Sequence, residues 1–243
     1  MPIEIGHVEA IFRYPVKSMR GEPLHTAELG WHGLPGDRRL ALRRMNDRGE
    51  FPWLTASKLP ALLLFTPQHG EDAAPGALPT HVRTPDGHEI PIFGEELAAD
   101  VGRRYGAPVQ MMQWKHGIFD EASISVIASD TVREISQLAG LSPDVRRFRP
   151  NVAVRLLRSG AFQEDEWVGR VLSFGEAADA PAIAVTMRDV RCAMLNLDPD
   201  SASPAPEMMK AVVRVHENTA GIYGTVTRTG RLAAGQPIFL HPA

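Results

Sequence analysis

Cysteine is almost absent: Cys192 is the only one in 243 residues. One thiol excludes an intramolecular disulfide, a four-cysteine zinc site and a cysteine-ligated iron–sulfur cluster. Lysine is also scarce, with 4 lysines against 22 arginines. A GC-rich coding sequence explains much of that excess, so the position of each cation matters more than the count; Arg at the right place offers a planar fork for phosphate or carboxylate. Positive charge is not in surplus, since 26 basic residues face 29 acidic ones for a net −3. No overall field draws in a polyanion, and no nucleic-acid partner is expected. Long apolar runs are missing too. The longest candidate, Ala61 to Phe65, is strand-sized, so no membrane association is expected. Met1-Pro2-Ile3-Glu4-Ile5 lacks the regions of a signal peptide, which makes the cytoplasm the expected location. There is no Gly-rich nucleotide loop, no His-Glu-x-x-His helix and no Gly-x-Ser-x-Gly elbow. The 9 histidines are scattered without metal-ligand spacing.

What remains is an ordinary globular composition, 44% hydrophobic and 23% charged, long enough for one large or two small domains. Ile5 to Val16 reads as a long strand, with further candidates at Arg39 to Leu42 and Ala61 to Phe65. Gln68 to Pro79 has loop composition, and Pro85-Asp86-Gly87 marks a turn before Ile90-Pro91-Ile92. Leu97, Val101 and Tyr105 place a helix over Glu95 to Tyr105. A second region begins near Gln113. There Thr131 and Glu134 fit a capping box, opening a helix that buries Val132, Ile135 and Ala139 and stops at Gly140. Strands are expected at Val152 to Leu156, Ala182 to Met187, Tyr223 to Thr227 and Pro237 to Leu240. Pro206 opens a helix with Met209, Val212, Val213 and His216 on one side. The fold class is β-rich α+β, built from barrels rather than a doubly wound sheet. Two domains are expected, 1–112 and 113–243.

Four segments carry chemistry-bearing side chains. Tyr14-Pro15-Val16-Lys17-Ser18 places a scarce lysine at a proline-stiffened turn, and Gly36-Asp37-Arg38-Arg39 comes after it. Arg146-Arg147-Phe148-Arg149-Pro150-Asn151 is a cationic turn leading into a strand. Val190-Arg191-Cys192 leads to Leu197-Asp198-Pro199-Asp200. Taken singly, each has a plain explanation: a turn, a solvated charge cluster, a buried thiol.

In this order the four segments resemble the MOSC proteins, named for the molybdenum-cofactor sulfurase C-terminal domain. The likeness is to the two-part type with an N-terminal β-barrel region, as in the mitochondrial amidoxime-reducing component and its bacterial relatives. It extends to Glu164-Asp165-Glu166-Trp167 and Gly221-Ile222-Tyr223. The resemblance implies a pterin molybdenum cofactor (molybdopterin) with its metal bound to Cys192. A soft thiolate suits a metal already held by two dithiolene sulfurs, and Arg191 next to it favours ionisation. Lys17, Arg38 and Arg149 would supply charge and donors for phosphate and pterin oxygens. Ser129, Asp130 and Thr131, at a helix start whose exposed N–H groups favour anions, together with Ser18, Asn151 and Tyr223, would complete the pocket.

The activity implied is removal of oxygen from N-hydroxylated or related small molecules. Electrons would come from a separate protein, either ferredoxin-like or a cytochrome/flavin reductase. A fused ferredoxin would need four further cysteines, and a nicotinamide cofactor would need a nucleotide fingerprint that is absent. Two alternatives keep the same residues. One is a sulfur carrier holding a Cys192 persulfide received from a sulfur donor such as a cysteine desulfurase; the other is a non-catalytic cofactor-binding module. The sequence also departs from the family. Asp189 and Val190 stand where many relatives have a second cysteine, and Leu195-Asn196 replaces a Thr-Thr pair, both on the substrate side.

Overall fold

The computed structural model describes residues 1–74 and 76–242; Pro75, inside the expected loop, and Ala243 lie outside the described residues. The first half forms β1 (Ile3–Arg13), β2 (Glu22–Leu24), β3 (Thr26–Leu29) and β4 (Leu40–Arg44). It continues with β5 (Thr66–Gln68), β6 (His81–Arg83), β7 (Glu89–Pro91), α1 (Glu95–Tyr105) and β8 (Val109–Gln113). The second half carries β9 (Ile124–Ala128), α2 (Ser129–Leu138), β10 (Val152–Leu156), β11 (Val171–Phe174) and β12 (Ala182–Val190). Then come α3 (Glu207–His216), β13 (Thr219–Arg228), β14 (Gly230–Ala233) and β15 (Pro237–Leu240).

Seven strands close into a barrel in the order β10-β9-β13-β12-β11-β15-β1, with β1 returning to pair with β10 and β2 appended outside. The interior is filled by Ile11, Val126, Val154, Leu172, Phe174, Ile183, Ile222 and Ile238, so this is a packed core and not a channel. β9 and β10 are the one parallel pair of the barrel, and α2 makes the crossover that parallel pairing requires. β9 is buried along its whole length, Ser125 included. α2 and α3 pack together over Ile127, Ile135, Phe148, Met208 and Val212. A second core around Leu42, Leu54, Phe65, Leu97 and Val101 lies beneath the β4–β8 pair, the β5–β6–β7 meander and α1.

The expected boundary at 112/113 is not a boundary in space for β1. That strand belongs to the barrel of the second half, paired with β10 and β15. Among the described residues no helix is long and apolar enough to cross a membrane.

Three local expectations are corrected. Ala61 to Phe65 is no strand: Pro60–Leu64 forms a 3₁₀ turn with Leu62 and Leu63 buried. An apolar run without period cannot be assigned by pattern, and Pro60 in the first turn favours the helical geometry. On α3 the buried side chains are Met208, Ala211 and Val212, whereas Val213 is exposed. Both stripes satisfy helical spacing, so packing chose between them. α2 begins at Ser129 rather than at Thr131, with Ala128 as N-cap and no side-chain cap. A distant carboxylate takes over that role. Glu164 accepts the Ala128 N–H at 3.2 Å and the Thr131 hydroxyl at 2.9 Å, leaving the capping box unused.

Candidate functional site

A cleft of about 380 Å³ opens where the loop after β1, the loop before β4, the turn before β10 and the end of β12 meet. Of the residues singled out from sequence, Lys17, Ser18, Arg38, Arg149, Arg191, Cys192 and Tyr223 line it. Asn151 does not. It lies behind the wall, 1% exposed, with Nδ2 donating to Phe12 O (3.3 Å) and Asp37 Oδ2 (3.1 Å) while Oδ1 accepts the Ser125 N–H (3.1 Å). Asn151 therefore ties β1, β9 and the Asp37 loop together behind the cleft.

Ser129, Asp130 and Thr131 lie outside the cleft lining. Ser129 donates to Glu9, Asp130 pairs with Arg133 and accepts from Ser159 at 2.8 Å, and Thr131 is fully buried between Glu164 and the Phe162 N–H. Their polar groups are already matched within the protein, and an anion at this helix start would meet Glu9 and Asp130.

Cys192 sits just past β12, whose pairing with β13 slips between Arg188 and Val190. Such a bulge bends a strand and re-aims the residues beyond it. The thiol residue is extended (φ −112°, ψ 169°), opens the short 3₁₀ turn Ala193–Asn196 and is exposed. On the facing strand, Gly221 (φ +80°) lets β13 approach β9: a Cβ there would stand 2.7 Å from Val126 O. That approach seats Tyr223 two residues on. Burial, reinforced by Asp189, pushes the Tyr223 hydroxyl above its usual range, so it remains a donor.

Three residues of the cleft are held under strain. Ser18 (φ +67°), Arg38 (φ +49°) and Arg149 (φ +52°) all adopt the left-handed region without being glycine, and all three line the cleft. Each such residue costs about 1–3 kcal/mol and persists where its surroundings over-determine it, commonly at ligand sites. Asp37 is the fixing point. Its buried carboxylate accepts the Tyr14 N–H at 2.7 Å and binds Arg38 and Asn151. Tyr14 in turn carries two guanidiniums against its ring, Arg149 at 4.2 Å and Arg38 at 4.7 Å. Burial lowers Arg149 to about 10, whereas Asp37 and Tyr14 outweigh burial at Arg38 and hold it high. Lys17, only 6% exposed, donates to Ile118 O (3.1 Å) and Asp120 Oδ1 (2.8 Å), yet burial still lowers its pKa.

Arg191 departs from its expected role. Its guanidinium turns to the Asp189 carboxylate and the Phe148 carbonyl, not to the thiol of its neighbour. Asp189 lines the cleft, 2% exposed, and burial raises it to about 6 against the pull of Arg191 and the Ser125 hydroxyl. Asp37 and Ser125 escaped the sequence reading. Asp37 stood inside a recognised segment, whereas nothing in the pattern marked Ser125, which faces the cleft only because β9 runs beside Asn151.

Five cationic side chains line the cleft (Lys17, Arg38, Arg147, Arg149, Arg191) against three carboxylates (Asp120, Glu121, Asp189). Arg147 Nε and Arg191 Nε are buried without a hydrogen-bond partner. Orphaned cationic donors beside an exposed soft thiolate precursor fit an anionic group carrying a thiophilic metal. Among the described residues no three His, Cys, Asp or Glu side chains cluster as metal ligands. A metal here would therefore have to arrive with ligands of its own, as one held by a pterin dithiolene does.

A likeness to one solved structure agrees with this architecture. The YuaD protein from Bacillus subtilis is 16% identical over 100% of both chains, with a TM-score of 0.54, which shows a shared fold. YiiM from Geobacillus stearothermophilus aligns over 49% of this chain and 54% of its own at 18% identity and a TM-score of 0.39. No curated protein matches the sequence. The family model described as MOSC domain matches residues 113–239, and that described as MOSC N-terminal beta barrel domain matches 5–122. With two such matches spanning nearly its whole length, this chain belongs to the MOSC domain family.

Proposed function

We propose that this protein binds a pterin molybdenum cofactor at Cys192 and reduces N-hydroxylated or related N- or S-oxygenated small molecules with electrons from a separate donor. One observation carries the reading: the chain's single thiol is exposed in a net-cationic cleft in which Ser18, Arg38 and Arg149 are held in strained backbone. When bound, the cofactor supplies the redox centre, and the protein contributes positioning and electrostatics.

Cys192 is the soft ligand, while Lys17, Arg38 and Arg149 present charge and donors to phosphate and pterin oxygens. The free Nε groups of Arg147 and Arg191 gain acceptors, and Ser18 and Tyr223 add hydroxyls. Asn151 and Asp37 position Arg38 without touching the ligand. Releasing the oxygen of a hydroxylamine as water consumes protons as well as electrons. The Asp189 carboxyl, raised to about 6 by burial, is mostly ionised at pH 7 but titrates within about a unit of it, so it suits relaying a proton from solvent on the cleft wall.

The test is protein made in a cofactor-competent host, analysed for molybdenum and pterin and assayed on a simple amidoxime with reduced viologen. Stoichiometric metal with turnover is expected, and no turnover with NADH alone. A metal-free protein that carries persulfide on Cys192 would instead establish the sulfur-carrier reading, which the exposed thiol also suits. Full metal loading without turnover under any donor would leave a binding module.

A further inference from the structure

We propose that an aromatic and basic strip on the surface, leading from His32 to the cleft mouth, is the docking surface for an acidic electron-transfer protein. The proposal rests on the reductase reading above, which requires an external donor. Continuity comes first. The His32 and His116 rings lie 4.1 Å apart, and Lys115 links His116 to Trp114 along the chain. Trp114 meets Trp53 edge-on at 6.2 Å, and the Trp114 backbone N–H donates to Arg39 O at 2.9 Å. Two residues before Trp53, the Phe51 ring lies 5.6 Å from Lys17 Nζ inside the cleft.

The strip is also apolar where a solvated surface would not be. Trp31 is 65% exposed, Trp114 53% and Phe51 46%. Exposed aromatics grouped with cations are the composition of interface centres, and Trp is the commonest anchor. At its His116 end the fixed charges are Lys115 and Arg39. After burial, the groups that lower the His116 pKa most are His32, Lys115 and Arg39, all basic. A local positive field on a chain of net charge −3 selects an acidic partner and speeds its encounter. Single-stranded nucleic acid also stacks on aromatics, but it needs a basic groove along its backbone. Here Lys115 and Arg39 supply the charge outside the cleft, too few cations for such a groove.

The decisive comparison uses holoprotein, wild type against Trp114→Ala/Lys115→Glu, with Lys115→Glu alone should the double variant fold poorly. The probe is a plant-type [2Fe–2S] ferredoxin kept reduced by its reductase. The KM for ferredoxin should rise tenfold or more, while turnover with reduced viologen and molybdenum content stay unchanged. In a direct binding assay, ferredoxin should bind the wild type in a salt-sensitive manner and the variants far more weakly. Equal ferredoxin KM and affinity in wild type and variants would overturn the proposal, as would binding of an oligothymidylate in place of ferredoxin. Wild type inactive with viologen would count against the reductase reading instead, and the binding assay would still decide the surface.

Discussion

Replacing Arg149 with methionine separates what this cleft needs for folding from what it needs for a ligand. The guanidinium is 8% exposed, donates to Met19 O at 2.9 Å and lies 4.2 Å from the Tyr14 ring, with no carboxylate in contact. Burial, aided by the charge of Arg38 and opposed by Tyr14 and Asp37, lowers its pKa to about 10. A depressed base is one whose charged form is disfavoured in the fold, and Arg149 stays charged at every pH below that value. The free protein therefore carries a penalty of roughly 3 kcal/mol at neutrality. Arg149→Met removes it, keeps an unbranched apolar stem in place of the arginine's and leaves the strain at φ +52° as it was. Against this stand one charged hydrogen bond, about 1.5–3 kcal/mol, and a cation–π contact, about 0.5–2 kcal/mol. The opposing terms nearly cancel. At about 2–4 °C per kcal/mol for a chain of this size, thermal unfolding should shift by no more than about 5 °C. Affinity for the anionic ligand should fall tenfold or more, read as pterin retained after dialysis. Unfolding lowered by about 15 °C, or full pterin retention, would refute the reasoning, because either outcome makes Arg149 a structural ion.

Cys192→Ser should change the metal's X-ray absorption spectrum and abolish turnover, since an alkoxide is harder than a thiolate; an unchanged spectrum removes Cys192 as ligand. Glu164 is fully buried and raised by burial to about 7, so it holds its proton more tightly folded than unfolded. Its contribution to stability is then full below the ordinary Glu range and declines as pH rises toward 7. Urea midpoints for Glu164→Gln should lack that decline, and an identical pH slope in wild type and variant would contradict the assignment. Ser18→Gly relieves a left-handed serine and should raise the unfolding temperature by a few degrees while lowering pterin retention. A lower unfolding temperature would mean that the Ser18 hydroxyl stabilises the fold.

Five of the seven barrel strands were legible as short apolar runs such as Val152–Leu156 and Pro237–Leu240, whereas β9 and β11 were missed. Ala61–Phe65 was not legible either, since burial on all sides erases period. The cleft residues could be collected from four segments, but their directions could not. In extended backbone successive side chains point to opposite faces, so Arg191 leaves Cys192 and reaches Asp189. Thr131 has the composition of a cap, and only the fold brings in Glu164, 33 residues later, to do that work. Likewise Asn151 belongs to a recognised motif, yet its partners Phe12 and Asp37 come from far earlier in the chain.

The placement of β1 bears on how the chain is made. Ile3 pairs with Leu240, and Gly6 stands between Ile238 on one side and Leu156 on the other. β1 leaves the ribosome before both partners and cannot complete either hydrogen-bonded edge until they are made. At roughly 5–20 residues per second, that exposes an unpaired edge for on the order of ten seconds or more. Contacts so distant in sequence also slow closure itself, because loop entropy is lost before pairing compensates for it. The nascent chain should therefore depend on being shielded during synthesis, and deletion of β15 should release β1 rather than trim one end of the barrel.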